Sequence, residues 1–482
     1  MVSVACSPTY SREDWQKGYV SLKTESSYWI EDIEGQLPPD LVGTLFRNGP
    51  GNLERGGDRY GHPFDGDGTI CAITFQAGLA HFRNRFVRTP EFVAEQKANR
   101  ILYRSVFGTQ KPGGWFNNLF DLKFKNPANT NVVIQGGKLL ALWEADSPYR
   151  LDPISLDTRG QETFNGLLSR GQAFTAHPRV EPETGDLLAF GVDAGPISTI
   201  YFYRVDSRGE LVETTARKIP GFSFLHDFAI TPNYRIFFQN PVTFNPIPVA
   251  LGLKPPATCI ALDPKARTRI LLFDRNGDLT TLEADPGFIF HHVNAFEEDR
   301  RIVVDSFYYD DFVSLEPGSD FLEVDFDAIP YASLCRYQLD LRSRTVVKEL
   351  LVDGPCEFGT LHPSRVGRTY RYAYIGTGQD SGRNAPLQVV AKVNVETRQQ
   401  ERHSFAPRGF LGGDPVFVPR PGAVDEDDGW VLAMVFDAEQ QRSDVVVLDA
   451  RSIRASPVAV LHLKHHIPYG LHGTFTPETF VS

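Results

Sequence analysis

Short apolar runs broken by turn residues set the pattern of this chain. The segments NVVIQGGKLLALWEA, GDLLAFGVD, STIYFYRVDSRGELV, YRIFFQN, RIVVDSFYY, YRYAYIGTG, LQVVAKVNVETRQ and DVVVLDA each carry a few residues of alternating or continuous apolar character, as strands half or fully buried in a sheet do. Several are joined by tight turns, as at Gln135-Gly136-Gly137 and Ser207-Arg208-Gly209. Many strands at regular spacing and few helical patterns predict an all-β architecture, a propeller or a large barrel. No WD or kelch signature is present, so the blades of a propeller would be divergent, and periodicity alone does not give their number. No low-complexity segment or linker divides the chain. One domain over 1–482 is expected, with residues 1–40 as an irregular N-terminal arm that stops at Leu37-Pro38-Pro39.

One stretch departs from the strand pattern. In FGTQKPGGWFNNLFDLKF, which starts at Phe107, the side chains of Trp115, Phe116, Leu119 and Phe120 fall at helical spacings, with Lys111, Lys123 and Lys125 flanking them. Residues 107–125 are therefore a candidate amphipathic segment that dips into a bilayer surface. A helix packed on a face of the fold would give the same pattern.

Composition narrows the function. The 41 Gly and 34 Pro agree with a turn-rich all-β chain, and 35 Phe against 2 Met suit a β interior or a rigid apolar cavity. A formal net charge of -11 argues against a nucleic-acid partner, which needs a basic surface. The first residues, MVSVACSPTYSREDW, show no basic region followed by a long apolar run, and no span of about 18 apolar residues occurs, so a cytoplasmic location is expected. The five cysteines (Cys6, Cys71, Cys259, Cys335 and Cys356) are scattered and form no CxxC pair; they are expected as free thiols rather than as a disulfide framework or a zinc-thiolate site.

Four of the 12 histidines stand in contexts suited to a metal: His177 in AHPR, His226 in FLHDF, His291 in FHHVN and His472 in PYGLHG. Their spacings of 49, 65 and 181 residues are wide. Ligands from such distant points are most easily assembled on a closed scaffold, where each blade projects a side chain toward a common axis. Taken alone, each histidine is better explained by a core imidazole bonded to a backbone carbonyl. His291 and His292 are the sharpest ambiguity, because neighbours on a strand point to opposite faces.

These segments resemble the carotenoid cleavage oxygenase family through nearly the whole chain. The resemblance is carried by Phe46-Arg47-Asn48-Gly49-Pro50-Gly51, by Phe64-Asp65-Gly66-Asp67-Gly68, by the four histidine segments and by Lys464-His465-His466-Ile467-Pro468, all in the family order. It implies a seven-bladed β-propeller with a helical or loop cap over an apolar tunnel, and one Fe(II) per chain on the axis. It assigns the ligands to His177, His226, His291 and His472 and leaves His292 aside. It further implies three carboxylates behind the ligands: Glu144 on His226, Glu357 on His291 and Asp414 on His472. Carboxylates so placed would fix the imidazole tautomers. Asp414 departs from the family's usual Glu and is a methylene shorter, so the backbone must approach or a water must bridge. Thr130, in Asn129-Thr130-Asn131-Val132, resembles a position beside the open iron coordination site; a turn threonine is the competing reading.

The activity so implied is O₂-dependent cleavage of a C=C bond in an apocarotenoid, at the 15,15' position to give retinal-type products. Full-length carotenoids and stilbenes are alternative substrates for the same site. A divalent-metal propeller hydrolase is the more remote alternative and would want carboxylates on the metal. Partners would be a lipophilic polyene and O₂, with peripheral membrane contact through Trp115, Phe116, Leu119 and Phe120, in a monomer.

Overall fold

Alternation in the sequence becomes one-sided burial only at the rim of the fold. In the strands Leu211–Pro220 and Gln400–Ser404, buried or half-buried residues alternate with more exposed ones. Gly43–Asn52 is instead buried along its whole length, and Gly429–Asp437 is buried at every position but the last, because both faces of its sheet are covered. The computed structural model describes residues 9–313 and 319–481. It contains seven antiparallel sheets of four or more strands arranged as the blades of a propeller. Blades two to six are continuous in sequence, over 131–161, 179–220, 229–284, 288–352 and 356–404.

The remaining two blades join the ends of the chain. The first combines strands over 27–86 with Gly473–Thr476, which pairs with Gly43–Asn52 from Thr44 opposite Thr476 to Arg47 opposite Gly473. The seventh spans 409–462 and takes Ile33–Gly35 as its outer strand, paired with Ala459–His462. Each terminal region therefore closes the blade begun by the other. Ring closure leaves only short, protected sheet edges.

Among the described residues no core cluster sits at the centre of this arrangement. The apolar residues form clusters between neighbouring blades, such as Ile73, Phe75, Trp430 and Leu461 between blades one and seven, or Phe202, Phe237 and Phe273 between three and four. Stability comes from blade-to-blade packing, which leaves the axis available for polar side chains.

Two expectations are corrected. Of the expected arm over 1–40, the described residues 9–40 are not irregular throughout: they contain the helix Arg12–Lys17, capped by Ser11, and strands Ser27–Trp29 and Ile33–Gly35 that complete sheet edges, while residues 1–8 lie outside the described residues. The 107–125 segment holds no amphipathic α-helix but a single 3₁₀ turn, Trp115–Asn118. Gly113, Gly114 and Phe120 take positive φ values of 98°, 86° and 55°, so no helix propagates on either side. Buried Asn118 closes the loop by hydrogen bonds to Lys111 and Gly114. Cys71, Cys259, Cys335 and Cys356 are free thiols, and Cys6 lies outside the described residues.

Lys125 does not flank a membrane face either. It is 1% exposed, with its ammonium 2.5 Å from Asp67 and 2.7 Å from Glu95, and it donates to Tyr60 at 2.8 Å. Arg55 adds a second cation at 2.6 Å from Asp67. Breaking a buried cluster by removing one partner strands the opposite charge, at about 3–5 kcal/mol. Lys125→Met is therefore expected to lower the thermal unfolding midpoint sharply; a midpoint equal to wild type would show that Asp67 and Glu95 are compensated without it.

Candidate metal centre

The four histidines stand at the axial starts of four blades. His177 precedes Arg179–Val180 of blade three, His226 precedes Ala229–Ile230 of blade four, and His472 precedes Gly473–Thr476 of blade one. His291 lies within Phe288–Glu298 of blade five, where the pairing register shifts between Ile289 and His292. That irregularity separates the two neighbouring histidines. His292 turns into the blade, where its Nδ1 lies 2.7 Å from Ser306 Oγ and its ring packs on Phe238. His291 faces the axis.

There the imidazoles meet. His177 Nε2 and His226 Nε2 are 2.9 Å apart, and ligand atoms of His177, His226 and His291 lie within 4.8 Å of one another. The ring of His472 stands 4.6 Å from that of His177 and 5.0 Å from that of His291. Its ligand atom is not in the 4.8 Å set, so the structure brings three of the four candidates into a tight group and the fourth alongside.

The carboxylates come from the three other blades. Glu144, after Lys138–Leu142 of blade two, lies 3.0 Å from His226 Nδ1. Glu357, in Cys356–Thr360 of blade six, lies 2.8 Å from His291 Nδ1 and also accepts from Tyr309 at 2.9 Å. Asp414 of blade seven lies 3.3 Å from His472 Nδ1. Its shorter side chain is met by close approach of the backbone: the Asp414 N–H donates to the Leu471 carbonyl at 3.0 Å. Gly413 permits this with φ at 116°, and a Cβ there would fall 2.4 Å from the same carbonyl oxygen.

Burial pushes the Glu144 carboxyl up, but the His226 imidazole beside it holds it below the ordinary range. Asp414 is likewise lowered, despite burial, by the Arg47 guanidinium and by its bond to His472. Among the imidazoles, burial takes His177 well below its ordinary value, with the neighbouring histidines adding to the shift, and lowers His472 despite Asp414. His291 is raised, because Glu357 outweighs burial.

These groups fit a divalent cation. A carboxylate accepting from Nδ1–H leaves Nε2 as a bare lone pair, and His291 Nε2 is buried with no hydrogen-bond partner. Three carboxylates less one guanidinium leave two negative charges around neutral imidazoles. Imidazole donors suit Fe(II), Zn or Cu.

Several contributors escaped the sequence reading although they sit inside its motifs. Arg47, 4% exposed, forms an ion pair with the Asp414 carboxylate and donates to the carbonyls of Asp414, Gly412 and Leu471. Arg179, two residues after His177, binds Asp227 at 2.6 Å and the His292 carbonyl at 2.8 Å, and Asp227 accepts from the His292 N–H at 2.8 Å. Blades three, four and five are thus tied together directly behind their histidines. Phe358 holds φ at 62° beside Glu357 and packs on His472 at 5.3 Å; such backbone strain gathers at functional sites.

A cavity of about 400 Å³ opens onto the site. Its walls are mainly aromatic and aliphatic, among them Trp143, Phe290, Phe358 and Leu411, with His226, His291 and His472 also on its surface. Thr130 lines it too, its hydroxyl 3.4 Å from Asn129 Oδ1. The cap is built from the helix Arg12–Lys17 and the 3₁₀ turns Phe321–Glu323 and Phe326–Ala328, joined by loops.

A seven-bladed ring with an axial imidazole cluster beneath an apolar cavity has close counterparts among known proteins. Residues 19–477 match the family described as RPE65, Retinal pigment epithelial membrane protein, and the chain belongs to this family, that of the carotenoid cleavage oxygenases. It is 46% identical over 475 residues to the apocarotenoid-15,15'-oxygenase of Synechocystis sp., covering 97% of each chain. It is also 32% identical to the isoeugenol monooxygenase of Pseudomonas putida, over 96% of this chain and 98% of that protein. The crystal structure of cobalt-substituted Synechocystis ACO superposes with a TM-score of 0.95 at 45% identity, over 97% of this chain and 99% of that one.

Loss of a carboxylate behind a metal-bound imidazole costs about 10- to 100-fold in metal affinity. Glu357→Gln is expected to weaken divalent-metal binding by about that factor in a chelator competition. Equal affinity would remove Glu357 from any supporting role.

Proposed function

We propose that this protein is a non-haem Fe(II) oxygenase that cleaves the 15,15' double bond of an apocarotenoid with O₂, giving two carbonyl products. The observation that carries the proposal is the convergence of imidazoles from separate blades, each of three backed by a carboxylate, at the floor of an apolar cavity. The 46% identity to an apocarotenoid-15,15'-oxygenase supplies the substrate class and the bond.

In this proposal His177, His226, His291 and His472 hold one Fe(II), and Glu144, Glu357 and Asp414 fix the tautomer of three of them and keep Nε2 aimed at it. Iron bound there supplies the redox chemistry by which triplet O₂ reacts with a closed-shell alkene. The atoms balance without a further reductant, since one C=C bond and one O₂ become two C=O groups. No protein acid or base is required. Phe290, Phe358, Trp143 and Leu411 would hold the polyene and keep water from the reacting bond. Thr130, on the same wall, would limit what else approaches the metal. A hydrolytic site would want carboxylates as ligands, whereas here Glu144, Glu357 and Asp414 all lie on imidazole Nδ1 atoms.

The polyene would be drawn from a lipid surface. Among the described residues no helix is long and apolar enough to cross a membrane. Trp115, Phe116 and Phe120 are, however, 54%, 72% and 71% exposed. They are joined by Ile247 of the short helix Pro246–Ala250 and by Leu253 just after it, a segment stitched to them by the Phe120 N–H donating to the Ala250 carbonyl at 2.7 Å. Leu119 is half-buried and would contribute little. Lys111 is paired with Asp121 at 2.6 Å, so attraction would be more apolar than electrostatic.

The test is anaerobic loading with Fe(II), then O₂ with a panel of apocarotenals, carotenoids and stilbenes, and chromatography of the carbonyl products. Cleavage of apocarotenals into a retinal-type aldehyde is expected, with about one iron per chain; preferred cleavage of a stilbene or a full-length carotenoid would reassign the substrate. His226→Ala should abolish turnover, and retained activity would remove the four-histidine site. Replacing Trp115 and Phe120 by Ser should lower partitioning onto liposomes, while unchanged partitioning and activity would remove the membrane contact.

A further inference from the structure

The loop bearing Phe64-Asp65-Gly66-Asp67-Gly68 reaches the cavity but takes no part in the chemistry above. Buried Asp65 accepts hydrogen bonds from the backbone N–H groups of Phe107, Gly108 and Thr109 at 3.1, 2.8 and 2.8 Å, and from the Thr109 hydroxyl at 2.8 Å. The Gly61 N–H donates to Thr109 Oγ1 at 2.8 Å. Gly61 and Gly108 approach so closely that a Cβ on either would stand 2.5 Å from the other's backbone. Two loops are thus locked together, and the residue they fix is His62.

The His62 ring stacks on Phe107 at 5.2 Å and 24°, and meets Phe64 edge-on at 4.7 Å. Its Nδ1 accepts from the Phe64 N–H at 3.1 Å, which puts the ring proton of a neutral imidazole on Nε2. Burial keeps the ring neutral, with its pKa lowered to about 3. Nε2 makes no hydrogen bond to the described residues, yet His62 lines the cavity that holds His226, His291 and His472. Phe64 beside it is 37% exposed, so this is the solvent end. Three other polar groups on the wall are already engaged: the Tyr309 hydroxyl donates to Glu357, the Tyr469 hydroxyl to the Trp15 carbonyl, and Asn384 to the Ile329 carbonyl.

We infer that His62 is a specificity-determining residue: its Nε2–H donates to a carbonyl or hydroxyl oxygen at the end of the polyene that lies toward Phe64. The inference rests on the polyene reading of the cavity. A neutral donor fixed in an apolar wall costs little when an oxygen meets it, and disfavours a hydrocarbon end that leaves it unpaired. The stacked ring also continues the apolar wall, so the polyene meets no charge on entry.

The experiment compares wild type, His62→Phe and His62→Gln on three polyenes of equal length ending in an aldehyde, an alcohol or a methyl group. Binding is read by tryptophan quenching on the metal-free protein, and kcat/KM on the Fe(II)-loaded one. Wild type is expected to prefer the oxygen-ended ligands by about three- to tenfold, the effect of one neutral hydrogen bond. His62→Phe, which keeps the stack, should erase that preference and leave the methyl-ended ligand unaffected; His62→Gln, which keeps a donor, should retain it. The aldehyde and alcohol arms show which oxygen is favoured. Equal losses on all three ligands, or an unchanged preference in His62→Phe, overturns the inference. If wild type binds the polyenes but cleaves none, the oxygenase reading fails while the binding arm still decides His62. If it binds none, both fall.

Discussion

The hydrogen bond between a half-buried carboxylate and an imidazole is the interaction on which this structure turns. At the axis it appears three times, at His226, His291 and His472, and each time it sets the tautomer of a ring whose other nitrogen faces the axis. Three half-buried anions in one place are costly without compensation. Arg47 offsets one, through Asp414. The balance is a site that favours two positive charges. Glu357 raises the His291 pKa against the effect of burial, in keeping with a site that favours positive charge.

The propeller makes that arrangement possible because its stability resides between blades and not at the centre. Every blade then contributes one group to the site: His472, Glu144, His177, His226, His291, Glu357 and Asp414, in blade order from one to seven. Neighbouring groups are held to each other by side chains of adjacent blades, as Arg179 and Asp227 do behind three of the histidines. The site is therefore as rigid as the ring, which suits a centre that must present a fixed geometry to a long apolar substrate.

The fold class was legible from short apolar runs and turns, and the histidines from the ordered segments around them. What the sequence could not resolve were contacts set by tertiary geometry. Spacing alone did not choose between His291 and His292; a register shift in the pairing with Arg301–Tyr309 does. The short reach of Asp414 looked like a weakness until Gly413 and Arg47 were seen to bring it to His472. Helical spacing at Trp115, Phe116, Leu119 and Phe120 proved misleading, because glycines at 113 and 114 and a left-handed Phe120 leave only one turn. Arg47, Arg179 and His62 were on view inside or beside recognised motifs, but their partners lie far away in the chain and no periodicity announces them.

The strand that closes the ring also has a bearing on when the site comes into being. A ribosome delivers blades three, four and five, with His177, His226 and His291, long before the segment containing His472. His472 reaches the axis only when Gly473–Thr476 pairs with Gly43–Asn52, a strand that precedes all three of those blades in the chain. An emerging chain can therefore present three imidazoles on an open arc but not the complete set. In the proposed four-histidine site, full coordination would report that the circle has closed.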